Sequence, residues 1–286
     1  MSTRQERAAR RSGEFPPPPS PLSVPVFDSH THLDITVQET SGFDVTALLD
    51  AAVYAGVDRV VQVGVDVASS RWGAELASRE SRVLAAVALH PNDAPLLGAG
   101  LDEALREIEA LAALPRVRGI GETGLDTFRT GPAGFPAQEA SFRAHIAIAK
   151  RHRKALIIHD RDAHAEVLRV LDSEGAPDSV VLHCFSGDAA FAAECVRRGY
   201  FLSFAGTVTF SSAGQLREAA ALTPPAQMLV ETDAPYLTPI PHRGRPNASF
   251  LIPHTMRALA SCTGQDLDAL CAAVSANGER VFGSWR

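Results

Sequence analysis

The chain has 286 residues, of which 45% are hydrophobic, so it is long enough to bury a large core. Its 27 Lys and Arg residues against 33 Asp and Glu residues give a net charge of −6, which excludes a broadly basic surface that would hold nucleic acid by charge alone. No apolar run approaches the roughly 18 residues that a membrane span needs, so we expect no membrane partner and a cytoplasmic location.

The first 25 residues read MSTRQERAARRSGEFPPPPSPLSVP and combine arginines with a run of prolines. The pair Arg10 and Arg11 resembles a twin-arginine export signal, but such a signal needs roughly 7–15 apolar residues after the charges. Prolines follow instead. We therefore predict that residues 1–25 form a disordered cytoplasmic tail and that residues 26–286 form one domain.

After this tail, short apolar runs of β-strand character alternate with longer stretches of helical spacing. The predicted strands are Val24–Phe27, Arg59–Val65, Val83–Leu89, Val117–Gly121, Ala155–Ile158, Ser179–Leu182, Tyr200–Phe204 and Met228–Val230. The predicted helices are Val45–Ala55, Ser69–Ser78, Leu101–Ala112, Ala137–Arg151, Ala163–Glu174, Ala189–Arg198, Ala213–Ala221, Pro253–Ser261 and Asp266–Ala273. Eight alternating units predict an α/β fold of the TIM-type (β/α)8 barrel class in a single domain, with an open doubly wound sheet as the alternative.

Potential metal ligands stand at the ends of these strands. His30 and His32 are two residues apart, so their imidazoles point to the same side of an extended chain. The other strand-end residues of this kind are His90, Glu122, His159, His183 and Asp233. Because the carboxyl ends of the strands share one face of a closed parallel barrel, these side chains are expected to meet in one pocket.

Four of these imidazoles and the two carboxylates suit a divalent ion of the Zn, Mn or Fe type, and they exceed the three or four protein ligands of one ion. The set therefore predicts two ions. Glu122 is able to bridge them through its two oxygens, and the bound ions would activate water for attack at phosphorus. Asp233 is either a ligand or the base that takes the proton from that water.

Five motifs in this chain resemble those of the TatD family of metal-dependent deoxyribonucleases, which are amidohydrolase-like barrels. The motifs are DSHTHLD at 28–34, GETGLD at 121–126, HDRDA at 159–163, HCFSG at 183–187 and ETDAPYL at 231–237. The resemblance covers Val26 to Phe282. It implies that His30 and His32 bind one ion, that His159 and His183 bind the second, that Glu122 bridges them, and that Asp233 completes the first site and serves as the base. It also implies dependence on Mg²⁺, Mn²⁺ or Zn²⁺ and hydrolysis of DNA phosphodiesters, in some members as a 3′-to-5′ exonuclease.

The chain departs from the family pattern at two positions. Ser249 stands two residues after Asn247, where the family usually has Pro, and His145 stands where it often has Gln. Neither is a predicted ligand, so the departures concern the loop near Ser249 and the helix that carries His145.

Further residues are expected to assist the metal centre. Arg161 and Arg245 are predicted to contact substrate phosphate with their guanidinium groups, a surface salt bridge being the alternative. His90 is predicted to contact substrate or to cap its own loop. Asp28 and Glu231 are predicted to orient the ligands.

The segment Lys150–Lys154, KRHRK, is a dense basic cluster. It precedes a strand, so it is placed at the amino-terminal face of the barrel, away from the predicted metal site. We interpret it as a solvated helix end whose charge suits the helix dipole. Trp72 and Trp285 do not form an aromatic pattern typical of base stacking.

Three functions remain open from the sequence. The favoured function is a two-metal nuclease that acts on DNA ends or single-stranded DNA, as a monomer. The alternative is a metal-dependent amide, ester or lactone hydrolase of a small substrate, which the acidic net charge would suit. The third is a non-catalytic binding barrel that keeps its metal for stability.

Overall fold

The computed structural model of the chain describes residues 14–40 and 43–285 and contains eight parallel strands that pair in chain order. The strands are β1 Val26–Thr31, β2 Val57–Val63, β3 Val83–Val87, β4 Val117–Asp126, β5 Ala155–Arg161, β6 Val180–Leu182, β7 Phe201–Phe204 and β8 Met228–Val230. The helices are α1 Leu33–Glu39, α2 Val45–Tyr54, α3 Val67–Arg79, α4 Leu101–Ala112, α5 Phe135–His152, α6 His164–Glu174, α7 Ala189–Arg197, α8 Gly214–Leu222, α9 Ile252–Thr263 and α10 Leu267–Phe282. The predicted TIM-type (β/α)8 barrel is confirmed, and the doubly wound alternative is wrong because the strand order never reverses.

The barrel closes where β1 meets the segment that follows β8. The backbone N–H of Asp233 donates to the carbonyl of His30 at 2.9 Å, and the N–H of His32 donates to the carbonyl of Ala234 at 2.9 Å. Thr31 and Ala234 form a parallel bridge. Closure therefore brings Asp233 beside the two histidines of β1 although they are some 200 residues away in sequence.

The strands are almost continuously apolar because helices cover one face and the barrel interior the other. Helix α10 packs across β1 through Gly278, where an added Cβ would lie 2.3 Å from Cε1 of Phe27. Asn277 donates to the carbonyl of Met228 at 2.8 Å. These two residues have low helix propensity, which explains why the prediction ended this helix at Ala273.

The strand ends differ from the prediction in ways that bear on the site. Strand β4 continues past Gly121 to Asp126, and β5 continues past Ile158 to Arg161. Helix α1 was not predicted; its first backbone N–H, on Leu33, donates to Oε1 of Gln62 at 2.6 Å. A side chain on the adjacent strand β2, 29 residues away in sequence, thus supports the start of this short helix, and local sequence gives no sign of it.

Residues 14–25 pack against the barrel, contrary to the prediction of a disordered tail for this part of the chain. Leu22 is buried, and its backbone N–H donates to the carbonyl of Ala55 at 3.1 Å. The ring of Phe15 lies 5.1 Å from that of Phe43 and 5.6 Å from that of Phe250. Residues 1–13, the rest of the predicted tail, lie outside the described residues.

No helix within residues 14–40 and 43–285 combines the length and apolar character that crossing a bilayer would require.

Candidate metal centre

The two histidines of the first motif lie at the carboxyl end of β1 and point into the barrel mouth. His32 donates its Nδ1–H to the carbonyl of Val63 at 2.9 Å, which leaves Nε2 as the nitrogen with a free lone pair. This Nε2 lies 3.4 Å from Oδ1 of Asp233. A backbone carbonyl thus fixes the ring in the tautomer that a metal ligand needs.

His30 is completely buried, and neither of its ring nitrogens has a hydrogen-bond partner among the described residues. Its ring stacks on that of His183 with 3.9 Å between centroids, and its Nε2 lies 3.4 Å from Oε2 of Glu122. Burial and the neighbouring His183 lower the pKa of His30, so the neutral imidazole is favoured. A buried imidazole nitrogen without a partner is costly unless something binds it, and a metal ion fits that position.

Two glycines of the GETGLD motif allow Glu122 to sit at the centre of this cluster. Gly121 has φ +153° and Gly124 has φ +139°. A Cβ on Gly121 would lie 2.3 Å from the carbonyl oxygen of Ile157, and one on Gly124 would lie 2.1 Å from that of His159. Only glycine lets β4 run this close to β5 on both sides of Glu122.

The carboxylate of Glu122 divides the surrounding imidazoles between its two oxygens. Oε2 faces His30 at 3.4 Å and His32 at 3.8 Å. Oε1 faces Nε2 of His90 at 3.3 Å, Nδ1 of His159 at 2.7 Å and Nε2 of His183 at 2.9 Å. Ligands of one zinc ion at about 2.1 Å from it stand roughly 3.4 Å apart, so this spacing suits shared ions.

The ligand atoms form three groups in which all members lie within 4.8 Å of one another. These groups are His30 with His32 and Asp233, His30 with Glu122 and His183, and His90 with Glu122 and His159. The structure thus brings together all six predicted ligands and adds His90, whose predicted role was substrate contact or loop capping. The Nδ1 of His90 accepts from the N–H of Asn92 at 3.0 Å, which caps the loop as well.

The electrostatics of the cluster reflect close packing of carboxylates and imidazoles. Burial opposes ionisation of Glu122, but His183 and His90 hold its pKa well below the usual value. Burial also opposes protonation of His32, yet Asp233 and Glu122 raise its pKa to about 9. The acidic groups therefore hold positive charge at this site, and divalent ions would take the place of the protons on binding.

Glu231 and Asp28, both predicted to orient ligands, make different contacts. Oε1 of Glu231 lies 3.1 Å from Nδ1 of His183 and accepts from the backbone N–H of Cys184 at 2.8 Å. Asp28 accepts from the backbone N–H of His30 at 3.2 Å rather than from an imidazole. Its other donors are the N–H and Oγ1 of Thr232 and Oγ of Ser249, at 2.9, 2.5 and 2.8 Å. Asp28 therefore ties β1 to the segment that carries Asp233.

Asp126 also belongs to the site, although its sequence position predicted no role for it beyond membership of the GETGLD motif. Its Oδ2 lies 3.2 Å from Nε2 of His159 and accepts from Nδ2 of Asn92 at 2.8 Å, while Oδ1 accepts from the N–H of Arg129 at 2.7 Å. It holds the far side of the His159 ring. Its place as the last residue of GETGLD was the available signal.

The two arginines predicted to contact substrate differ in their surroundings. Arg161 is exposed at the end of β5, with its guanidinium carbon 4.9 Å from the ring centroid of Phe128. Arg245 instead donates to the backbone carbonyls of Glu14 and Phe15 at 2.6 and 2.9 Å. Its guanidinium thus anchors the N-terminal segment, and the structure gives no support to a phosphate contact there.

A (β/α)8 barrel with a histidine and carboxylate cluster at the carboxyl ends of its strands is typical of metal-dependent hydrolases. The sequence profile of the family described as TatD related DNase matches residues 27–283. The chain belongs to this family, as the motifs predicted.

Several relatives are similar over nearly the whole barrel. An uncharacterized metal-dependent hydrolase TatD of Mycobacterium tuberculosis is 46% identical over 90% of this chain and 97% of that protein. The 3′-5′ ssDNA/RNA exonuclease TatD of Citrobacter rodentium is 36% identical over 81% of this chain and 89% of its own length. Among solved structures, the TatD homologue YjjV of Escherichia coli superposes with a TM-score of 0.82 at 27% identity, covering 91% of this chain and 98% of that one.

Proposed function

We propose that this protein is a two-metal phosphodiesterase that removes nucleotides from the 3′ end of single-stranded DNA. The observation that carries the proposal is the division of the donors around Glu122. One of its oxygens faces His30 and His32, and the other faces His90, His159 and His183. A carboxylate whose two oxygens each face a separate group of imidazoles is suited to bridging a pair of ions.

His30, His32 and Asp233, which form one group, would hold one ion, and the family pattern assigns the second ion to His159 and His183 with Glu122 between the two. In the structure His183 groups with His30 and Glu122, and His159 groups with His90 and Glu122. Bound divalent ions would supply Lewis acidity at phosphorus and lower the pKa of an attacking water. The protein fixes the ligand orientation through Val63, Asp126 and Glu231, each of which contacts one imidazole.

Asp233 is the candidate base. Burial opposes ionisation of this carboxyl, but its hydrogen bond to His32 and the adjacent His183 and His30 lower its pKa. It is therefore an anion that is able to accept the proton of the attacking water. Its side chain keeps 16% of its surface exposed, more than Glu122 at 6%, which places it on the solvent side of the cluster.

The choice of substrate rests on two observations. The exposed Arg161 stands at the mouth of the barrel, where a guanidinium suits a phosphodiester. A relative that is 36% identical is named a 3′-5′ exonuclease of single-stranded DNA and RNA. Both favour a nucleic acid end over a small ester, amide or lactone.

The test uses the full-length protein with Mg²⁺, Mn²⁺ or Zn²⁺ and a single-stranded oligonucleotide labelled at its 5′ end. A ladder that shortens from the 3′ end is expected. Glu122→Gln and Asp233→Asn should each lower kcat at least 100-fold. Glu218→Gln, which removes an exposed carboxylate from α8, is the matched control and should leave kcat unchanged.

Three results would contradict the proposal in different ways. Faster turnover of small esters than of oligonucleotides would favour the small-molecule hydrolase. Internal cleavage would replace the exonuclease with an endonuclease. Stoichiometric metal binding without turnover of either substrate class would favour a non-catalytic barrel.

A further inference from the structure

A cavity of about 590 Å³ opens at the end of the barrel opposite the metal centre. Its walls come from the amino ends of three consecutive strands. Arg118 is the second residue of β4, Lys154 directly precedes β5, and Ser179 directly precedes β6. The end of α10, from Arg280 to Gly283, forms another wall. The cavity is thus part of the barrel base and shares no residue with the site around Glu122.

The lining of this cavity is strongly cationic. The charged residues that line it are Arg118, Lys150, Arg153, Lys154, Arg280 and Asp178, together with the ionisable His152. Five of them are permanent cations and one is a carboxylate. The chain as a whole carries a net charge of −6, so this positive charge is a local concentration.

Three of the cations lack a counterion in the part of the chain that the structure describes. The charged groups of Arg118, Arg153 and Lys154 make neither an ion pair nor a hydrogen bond there, and Nε of Arg118 is buried. Elsewhere on the surface the arrangement differs. Arg82 pairs with Glu80 and Asp50, Arg143 pairs with Glu139 and Glu174, and Arg198 pairs with Asp172 and Glu194.

The unpaired cations also repel one another. Burial and the neighbouring Arg118 lower the pKa of Lys154, and the same two causes lower the pKa of Arg116, which does not line the cavity. Arg116 itself is satisfied by backbone carbonyls, including those of Val83 and Trp285 at 2.6 and 2.8 Å. Like charges held together at a partly enclosed site are unfavourable, and a bound anion would relieve the repulsion.

We propose that this basal cavity is a binding site for a phosphate group, held by Arg118, Arg153 and Lys154. Guanidinium groups match phosphate oxygens with paired hydrogen bonds, and a lysine supplies a point charge. The volume accommodates pyrophosphate or a nucleotide. The same chemistry would bind a free phosphate compound or a phosphodiester of a nucleic acid strand. On this proposal the segment Lys150–Lys154 forms part of a binding site, whereas the sequence predicted only a solvated helix end.

The site is tested on the full-length, metal-loaded protein by hydrogen exchange with mass spectrometry. Pyrophosphate, with the divalent metal kept in excess, and a short single-stranded oligonucleotide with nuclease-resistant phosphorothioate linkages are titrated separately, and exchange is followed at residues 149–155 and 176–180. Protection of these segments is expected, independently of any protection at the metal centre. In the double variant Arg118→Gln with Lys154→Gln, the ligand concentration that gives half-maximal protection of these segments should rise at least 10-fold.

Two further variants separate charge from folding. Arg79→Gln removes an exposed cation of α3 that does not line the cavity and should leave basal binding unchanged. Arg118→Lys with Lys154→Arg keeps both charges and should retain most of the binding. Protection at a lower phosphate concentration by pyrophosphate would identify the ligand as a free phosphate compound. Protection at a lower phosphate concentration by the oligonucleotide would identify it as a nucleic acid strand. Protection confined to the metal centre, equal loss in Arg79→Gln, or equal loss in the charge-conserving variant would overturn the proposal.

Discussion

Nε2 of His159 lies 3.2 Å from Oδ2 of Asp126, while its Nδ1 lies 2.7 Å from Oε1 of Glu122. One nitrogen of the ring therefore faces the cluster and the other is held by a carboxylate. Carboxylate partners of this kind set the tautomer and orientation of a ligating histidine. Asp126 is thus a positioning residue for the second metal group.

Asp126→Asn should lower the affinity for the ion that His159 would bind about 10- to 100-fold, because the amide no longer stabilises the correct ring orientation. Metal titration followed by calorimetry measures this change directly, and excess metal should restore most of kcat. Asp162→Asn, which changes an exposed carboxylate directly after β5, is the matched control. An unchanged metal affinity, or a loss of kcat that no metal concentration restores, would contradict the positioning role.

The sequence predicted the ligands of the site because barrel geometry converts separate strand ends into one surface. His30, Glu122, His159, His183 and Asp233 each come within three residues after the end of a predicted strand, so the strand assignments alone implied their convergence. The family motifs then assigned roles to them. Those roles remain predictions, whereas the convergence of the side chains is a structural finding.

What the sequence could not supply depends on contacts between distant segments. The support of His159 by Asp126 requires β4 to run five residues past Gly121, which its glycines obscure in a strand pattern. The packing of Phe15 on Phe250 is equally invisible, because a proline-rich segment with one aromatic residue has the composition of a disordered tail. Local propensity fails at such positions because tertiary contacts decide the outcome.

Ser249 shows how a departure from the family pattern is used structurally. Its hydroxyl donates to Oδ2 of the buried Asp28 at 2.8 Å, across 221 positions of sequence. Ser249→Ala should lower the free energy of unfolding by about 1–3 kcal/mol, because a buried carboxyl loses one of its donors. Urea denaturation with the metal present measures the change.

Ser249→Thr keeps the hydroxyl and should retain most of the stability. Ser211→Ala, at an exposed position, is the control for loss of a serine hydroxyl. A value for Ser249→Ala no larger than that for Ser211→Ala would mean that the contact with Asp28 is not stabilising.

His145, the second departure from the family pattern, should make the protein sensitive to acid. Its Nδ1–H donates to the carbonyl of Ser141 at 2.7 Å, and its Nε2 accepts from the N–H of Leu89 at 3.1 Å. Burial lowers the pKa of His145 from 6.5 to about 4. The unfolded chain therefore binds the proton more readily between these two values, and stability present above pH 6.5 is lost as the pH falls towards 4.

His145→Gln should remove this sensitivity while its amide oxygen still accepts from Leu89. Between pH 7.5 and pH 5, we expect the variant to lose about 2 kcal/mol less unfolding free energy than the parent protein. Parallel urea titrations at the two pH values measure the difference. His242→Gln, on the long loop after β8, is the control: burial and Arg245 also lower the pKa of this less buried histidine, so the variant should recover only a small part of the difference. Identical pH dependence in His145→Gln and the parent would show that His145 is not the acid-sensitive group.

Phe128 is an aromatic side chain at the barrel mouth, and the sequence alone predicted no role for it. It follows β4 by two residues, is 66% exposed, and lies under the guanidinium of Arg161. An exposed ring stacked on an arginine beside the metal centre suits a base of a single strand, since base stacking on an aromatic ring is worth about 1–3 kcal/mol.

For the proposed substrate, Phe128→Ala should raise KM for an oligonucleotide about 5- to 100-fold and leave kcat nearly unchanged. Phe128→Trp should retain the low KM, and Tyr54→Ala, which removes an aromatic ring that is 71% exposed at the end of α2, is the matched control. Steady-state kinetics on one oligonucleotide compare these three variants with the parent protein. A fall in kcat of Phe128→Ala with KM unchanged would mean that Phe128 supports the fold of the barrel mouth and does not contact the substrate.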